Sequence, residues 1–172
     1  MTFSLYDASV ANYLQTLGAV DAFLERGRAH FVEHKIDPES IVEARLAPDM
    51  LPLRFQILSV VHHSRGAIDA AKSGAFHPPG AKAADYAALQ AMVKQAHDHL
   101  AAITPAAVNA LAGGDVIFHI GERKIPFTTE NFLMSFSLPN FYFHATTAYA
   151  ILRHHGAPLG KRNFLGAMRI KT

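Results

Sequence analysis

The stretch from Ser135 to Gly156, SFSLPNFYFHATTAYAILRHHG, most constrains the fold, because as a helix it would be apolar on nearly every side. Such a helix is normally buried among other helices. Asn140 and His144 are four residues apart, so they share one helical face, about 40° apart around the axis. His144 would then be a buried imidazole whose ring nitrogens need partners, and a metal ion, a carboxylate or a backbone carbonyl can each serve.

Composition narrows the class of protein. The chain has 172 residues, 50% of them hydrophobic and 17% charged, which favours one globular domain over residues 1–172 and argues against disorder. The net charge is +2 with scattered basic residues, so we expect no nucleic-acid binding. No signal peptide and no run of 18 apolar residues is found, which predicts a soluble cytoplasmic protein that does not bind a membrane. Because cysteine is absent and there are 11 histidines, histidine is the main candidate for site chemistry.

Apolar periodicity and capping signals predict an all-α fold, a four-helix bundle with a small β-hairpin before the last long helix. Ser4 and Asp7 fit a capping box, Gly27 is expected to interrupt the first helix, and Gly156 is expected to stop the last one. We expect the apolar tail from Lys161 to Thr172 to dock on the bundle. The predicted elements are helices Ser4–Arg26, Arg28–Lys35, Glu39–Arg45, Met50–Lys72, Ala81–Ile103 and Thr104–Leu111, strands Asp115–Ile120 and Lys124–Phe127, and a helix Thr128–His155 kinked at Pro139.

The second long helix offers a partner for His144. His63 borders the apolar arc of that helix beside Gln56, whereas His62 falls on the charged side and is predicted to face solvent. His63 and His144 on facing helices are typical of metal sites in bundles, and Asn140 would be a weaker third ligand. Two histidines are one fewer than a typical three-ligand catalytic zinc site has. The same residues are also compatible with a hydrogen-bonded polar group in the core.

A second motif is His30-Phe-Val-Glu-His34, which has the H-x-x-E-H spacing of inverted zinc peptidases. In that interpretation His30 and His34 bind zinc and Glu33 is the base. No other helix clearly offers a third ligand, and the alternative is a solvated helix face.

Several segments together resemble a known family. These are LYDASV, ARLAPDMLPL, HHSRG, LPNFYFHATTAYAILRHHG and LGKRNFLG, which span nearly the whole chain, and LPNFYFH is the most specific of them. They are similar to the bacterial domain-of-unknown-function family numbered nineteen ninety-three, grouped with the DinB/YfiT-like metalloenzymes. The resemblance implies an up-down-down-up four-helix bundle. It also implies a divalent metal held by three histidines, as in relatives that include thiol-dependent S-transferases and isomerases.

Carried over residue by residue, the resemblance implies His63 as the ligand on the second long helix and positions Asn140 and His144 as the pair on the last one. This chain departs from the three-histidine pattern at Asn140, and shifting the pair to His144 and Ala148 departs further. The implied function is a small-molecule site in the bundle core, with zinc or nickel as cofactor and a thiol transferase as the enzyme class. The alternative is a non-catalytic bundle that binds a ligand or self-associates.

The high apolar fraction also predicts self-association as a two-fold homodimer. Two surfaces are candidates for the interface. One is the outer side of the last long helix, with Tyr142 and Tyr149, and the other is the tail from Phe164 to Ile170. Relatives in the resembled family often pair as well.

Overall fold

The computed structural model of the protein describes residues 3–80 and 83–171. These residues are mostly helical, with one small three-stranded sheet. Two π-helical segments, His62–Gly66 and Phe132–Ser137, lie within the second and the last of the long helical runs. The helices are α1 Leu5–Ala8, α2 Val10–Glu33, α3 Glu39–Val42, α4 Leu53–Val61, α5 Ala67–Ser73, α6 Tyr86–Ala101, α7 Pro105–Asn109, α8 Thr129–Asn131, α9 Leu138–His154 and α10 Lys161–Leu165.

Four long helical runs enclose the core. They are α2, the run from α4 through α5, α6, and the run from α8 through α9. Helix α2 packs against α6 and α9, and α4 packs against the same two helices. Their facing sides carry fully buried large side chains such as Tyr13, Phe23, Ile57, Leu89 and Phe141. Among the described residues no helix is both long and apolar enough to cross a membrane.

Helix α2 runs without a break from Val10 to Glu33, so the expected interruption at Gly27 is wrong. A Cβ atom at Gly27 would lie 3.2 Å from the Tyr86 hydroxyl and 3.5 Å from the Leu152 side chain. The glycine therefore allows α6 and α9 to approach α2 closely, and the α-helical hydrogen bonds continue through it.

The bounds of the other long helices differ from the prediction for local reasons. Helix α4 begins at Leu53 and not at Met50, because Pro52 is extended at the N-cap position. The third long helix begins at Tyr86, where the Asp85 side chain accepts a hydrogen bond from the Ala88 amide. The predicted start of that helix, Ala81, lies outside the described residues, as do Lys82 and the terminal Thr172.

The sheet has one strand more than the predicted hairpin. Strands β2 (Asp115–Ile120) and β3 (Arg123–Thr128) pair antiparallel as expected. Strand β1 (Ala75–Phe76) adds to β2 in parallel, with Phe76 opposite Phe118. The expectation of an all-α chain with one hairpin is therefore corrected to a mostly helical chain with a three-stranded sheet. A strand of two residues has no alternating pattern for sequence analysis to detect.

The C-terminal segment docks on α2, as the sequence predicted. Helix α10 packs against α2, and the Gln15 side chain donates a hydrogen bond of 2.9 Å to the Leu165 carbonyl. Arg169 donates to the Asn12 side chain at 2.5 Å.

Candidate functional site

The structure brings His63 and His144 together in the interior. His63 lies in the first π-helical segment and is only 6% exposed, whereas His144 lies on α9 and is partly buried. Their ring centroids are 5.9 Å apart, and the ring planes differ by 12°. The first π-helical segment, which continues α4, packs against α9 and so places the two imidazoles across one helix contact. Imidazoles on facing helices are a common basis for ligand and metal sites.

Gln56 fixes the orientation of His144. The Gln56 Nε2 atom donates a hydrogen bond of 2.7 Å to the Leu51 carbonyl, so its Oε1 atom faces the other way and lies 2.8 Å from His144 Nδ1. Because a carbonyl oxygen only accepts, we assign the ring proton of neutral His144 to Nδ1. Nε2 is then left with a free lone pair, the form in which an imidazole binds a metal ion or accepts a proton.

Both imidazoles are neutral at pH 7. Burial lowers the pKa of His144 to about 4. Burial also lowers the pKa of His63 to about 3, and the neighbouring His62 and His144 imidazoles add to that effect. His63 Nδ1 is buried and has no hydrogen-bond partner among the described residues. His62 Nε2 is a second buried ring nitrogen without a partner among the described residues. Unpaired buried polar atoms are uncommon in folded proteins, and a water molecule or a ligand can supply the missing partner.

Asn140, the third residue predicted for the site, lies one turn before His144 on α9 and is partly buried. Its Nδ2 atom donates a hydrogen bond of 2.7 Å to the Phe136 carbonyl in the second π-helical segment. That bond leaves the Oδ1 atom as the available ligand atom of the side chain. An amide oxygen is a weaker ligand for zinc than an imidazole nitrogen.

His62 does not face solvent, so that prediction is wrong. Its ring is partly buried and stacks on Phe76 of β1, with ring centroids 4.3 Å apart. His63 contacts the same phenylalanine at 5.5 Å. The prediction assumed a regular α-helix with solvent beyond it, whereas the residues form a π-helical segment covered by a strand that the sequence did not reveal.

Hydroxyl groups attach the first π-helical segment to the rest of the core. The Tyr13 hydroxyl donates a hydrogen bond of 3.1 Å to Ser137 Oγ, which in turn donates one of 2.7 Å to the His63 carbonyl. Ser64 Oγ donates at 2.7 Å to the Val60 carbonyl of its own helical run. Tyr13 is fully buried, and burial raises its pKa well above the ordinary range. Departures from regular α-helix, such as π segments, are frequent at functional sites, and here one is held by a buried hydrogen-bond chain.

Aromatic side chains surround the two imidazoles. Phe136 and Phe76 lie beside His63, each with its ring centroid 5.5 Å away. Phe55 and Phe143 lie edge-on to His144, at 5.9 Å and 5.2 Å. Phe143 is 58% exposed, so the His144 side of the site is the side nearer to solvent. The site therefore has an apolar lining and a small number of oriented polar atoms, as small-molecule sites commonly do.

Sequence reasoning found the two histidines and Asn140 but did not place Gln56 and Ser137 in the site. Gln56 carried a detectable signal, since a long amide side chain on the apolar arc of a helix needs a partner inside the core. Ser137 carried none, because its role depends on a carbonyl of another helix.

The H-x-x-E-H motif lies at the end of α2, away from this pair in the chain. The His30 and His34 rings are 4.0 Å apart, and His34 Nδ1 lies 2.8 Å from the His30 carbonyl of its own helix. Glu33 is exposed. Within residues 3–80 and 83–171, no three histidine, cysteine, aspartate or glutamate side chains are grouped so that they could hold a metal ion. The third ligand that a zinc peptidase needs is thus not found in the described part of the chain.

Comparison with known proteins agrees with the resemblance in sequence. Residues 5–165 match the family described as a domain of unknown function, DUF1993. The fold is similar to the crystal structure of a DinB family member from Shewanella denitrificans, with a TM-score of 0.80 and 25% sequence identity over 98% of this chain and 95% of that one. A comparison with curated proteins returns no match. The chain therefore belongs to the DUF1993 family and has a DinB-like fold.

Proposed function

We propose that the His63–His144 site binds a small molecule together with a divalent metal ion, zinc or nickel, held by His63, His144 and Asn140. One observation carries the proposal. His63 Nδ1 is buried without a partner among the described residues, beside a second imidazole, His144, whose Nε2 lone pair is free. Two neutral imidazoles fit zinc or nickel, which both bind nitrogen ligands well.

The chain contributes orientation and an apolar setting. Gln56 holds His144 in the tautomer that presents Nε2, as outer hydrogen bonds do for metal-binding histidines. Ser137 holds the backbone of His63 in place. Phe55 packs edge-on to His144 and Phe136 packs edge-on to His63, so both imidazoles have apolar neighbours. When bound, a divalent metal ion acts as a Lewis acid toward a coordinated group of the small molecule.

The reaction we propose is group transfer to or from a coordinated small molecule. The support is the DinB-like fold together with the resemblance to thiol-dependent transferases, and we assign no acid or base among the residues of this chain. The DinB-like fold also supports an up-down-down-up order of the four helical runs, which we propose together with the cytoplasmic location expected from the sequence.

Metal content tests the proposal directly. Protein purified without a histidine tag is loaded with zinc or nickel, dialysed, and analysed for metal per chain. We expect one ion per chain in the wild type and a loss in His63→Ala and His144→Ala. His154→Ala is the matched control, because His154 is exposed at the end of α9 and should leave the metal content unchanged. Absence of bound metal in the folded wild type would refute the metal site.

A second candidate function is a non-catalytic bundle in which the same residues bind an uncharged ligand or only stabilise the core. The observation in its favour is that the described residues offer only two histidines to a metal ion at this site. The third side chain is Asn140, whose Nδ2 atom already donates a hydrogen bond to the Phe136 carbonyl. Under this alternative the wild type binds no metal, and His63→Ala changes stability or the binding of an uncharged ligand.

We also propose that the chain pairs with a second copy through the outer face of α9. Tyr142 is 38% exposed there and Phe143 58%, and with Leu46 and Pro139 they line a shallow depression of about 430 Å³. Tyr149, the other tyrosine considered, packs between Phe23 and Phe164 of its own chain and is not available.

Light scattering across a dilution series tests this interface. For the wild type we expect about twice the chain mass of 18.7 kDa. For Phe143→Ser we expect the mass to shift toward that of a single chain. Val32→Ser, which changes an exposed apolar residue on α2, serves as the control and should leave the mass unchanged. A wild type that is monomeric at every concentration would contradict the proposal.

A further inference from the structure

A cavity lies outside the His63–His144 site, between the C-terminal segment and the bundle. Helices α6 and α10 both pack against α2, and residues of all three helices line an open groove of about 450 Å³. A volume of this size is typical of sites for small molecules. His97 of α6 lines the groove together with Arg162 and Asn163 of α10.

The wall that α10 forms is held against α2 at both of its ends. The Arg26 side chain donates a hydrogen bond of 2.9 Å to the Pro158 carbonyl before the helix. The Gln15 side chain donates one of 2.9 Å to the Leu165 carbonyl at its end. Gly166 follows with a φ of 60°, and a Cβ atom there would lie only 3.0 Å from a side chain of α2. Glycine permits this close approach, so the groove is a preformed feature of the fold.

The polar groups that α10 brings to the groove are hydrogen-bond donors. Arg162 is exposed, and its guanidinium forms no ion pair within the part of the chain that the structure describes. Asn163 Oδ1 accepts a hydrogen bond of 2.8 Å from the Gly160 amide, which leaves the Nδ2 group as a donor for another molecule. A guanidinium beside an amide donor suits a carboxylate or a phosphate group.

No acidic side chain competes for these donors among the described residues that line the groove. Asp98 follows His97 in the chain, and its Oδ1 atom lies 3.5 Å from His97 Nδ1. Its other carboxylate oxygen accepts a hydrogen bond of 2.6 Å from Lys94, so this acid already has a cationic partner. The remaining lining is largely apolar and includes Leu14 and Ala22 of α2. The groove therefore combines an unpaired positive charge with an apolar surface.

We infer that this groove binds a small organic anion. Its carboxylate or phosphate group contacts Arg162 and Asn163, and its apolar part lies on α2 beside His97. This is a second site, and it does not rest on the function proposed for His63 and His144. Because the guanidinium is exposed to water, its contribution to affinity is modest, but an anion gains from it and a neutral molecule of the same shape does not.

The experiment is a titration of metal-free, nitrogen-15-labelled protein at pH 7, followed by NMR of the backbone amides. The probes are benzoate, phenyl phosphate and the neutral benzamide. We expect saturable shifts of the Gly18, Asn163 and Gly166 amides with a Kd below about 5 mM for at least one of the two anions. The Kd of benzamide should be at least about tenfold higher, as expected for the loss of a charged hydrogen bond. The tighter of the two anions distinguishes a carboxylate ligand from a phosphate ligand.

Three variants locate the binding. Arg162→Met should raise the Kd of the anion about tenfold, toward that of benzamide. Lys161→Met is the matched control, because Lys161 is a neighbouring exposed cation that does not line the groove, and it should change the Kd by less than about threefold. Gly18→Leu should abolish binding of all three probes. A Cβ atom at Gly18 meets no other atom within 4 Å, so the new side chain extends into the groove without a clash.

Two results would overturn the inference. One is equal affinity of the wild type for benzamide and for both anions, and the other is the absence of saturable shifts at the groove amides with every probe. Equal effects of Arg162→Met and Lys161→Met would also contradict the assigned contact. The wild-type comparison needs no variant, so it decides the question even if Gly18→Leu does not fold. Since the protein is metal-free and the shifts are read at the groove, the result is separate from that of the metal analysis at His63 and His144.

Discussion

Replacement of Gln56 by Met would remove both hydrogen bonds of a side chain that is only 2% exposed, while its length and apolar volume are nearly kept. The bonds lost are the 2.8 Å contact with His144 Nδ1 and the 2.7 Å bond to the Leu51 carbonyl. Each such bond contributes about 1 kcal/mol, and a buried partner left without a bond adds a further cost of about 1–3 kcal/mol. Because His144 keeps some access to water, we expect the total loss in the free energy of unfolding to be about 2–3 kcal/mol.

Urea denaturation followed by circular dichroism at pH 7 measures this loss. Gln95→Met is the matched control, since Gln95 is exposed on α6, and we expect it to change the free energy of unfolding by less than about 0.5 kcal/mol. Nitrogen-15 NMR of the imidazoles gives a second measure, with His144 protonated at Nδ1 in the wild type and shifted toward Nε2 protonation in Gln56→Met. A loss below about 1 kcal/mol together with an unchanged tautomer would show that Gln56 does not hold this imidazole.

Three further predictions concern packing, the hydroxyl chain and pH. Gly27→Ala should destabilise the protein by about 1–3 kcal/mol, because the new Cβ atom would lie 3.2 Å from a tyrosine hydroxyl. Gly18→Ala, whose Cβ atom would have no neighbour within 4 Å, should stabilise the protein by about 0.5–1 kcal/mol in the same urea assay. A similar loss of stability in both variants would contradict the close approach of the helices at Gly27. Ser137→Ala should lower the free energy of unfolding by about 1–3 kcal/mol. Adding Tyr13→Phe should lower it little further, because the second change removes the tyrosine hydroxyl that the first change leaves without a partner. Full additivity in the double-mutant cycle would show that the two hydroxyl groups do not act together. Burial lowers the pKa of His63 to about 3, so below the ordinary value of 6.5 the unfolded chain binds the proton more readily than the folded one, and the stability falls on acidification. Between pH 6.5 and pH 4 the free energy of unfolding of the wild type should therefore fall by about 2–3 kcal/mol more than that of His63→Leu. Parallel curves of stability against pH for the two proteins would contradict a neutral buried imidazole.

The sequence predicted those features that depend on a local pattern. The apolar arcs placed His63 and His144 on facing sides of two helices, and the structure brings them together. The hairpin followed from alternating β-rich residues around Gly121, whose φ of 57° suits a glycine at the turn. The capping box at Ser4 and Asp7 is also present in the structure.

Features that depend on contacts distant in sequence could not be predicted. The environment of His62 is determined by Phe76, which belongs to a two-residue strand with no pattern of its own. The π-helical segments leave the hydrophobic periodicity nearly unchanged over such short lengths, so a helical wheel cannot detect them. Glycine is a poor helix former, so the sequence predicts a break at Gly27, but the packing of α6 and α9 against this residue outweighs that local preference.

The central claim is that His63 and His144 together form a metal and ligand site. The most direct measurement is anomalous X-ray diffraction at the zinc edge from crystals of the tag-free protein soaked with Zn²⁺. We expect one strong peak per chain, about 2.0–2.1 Å from an imidazole nitrogen of each of these two residues. A peak at His30 and His34 instead, or well-ordered His63 and His144 rings with no peak between them, would contradict the claim.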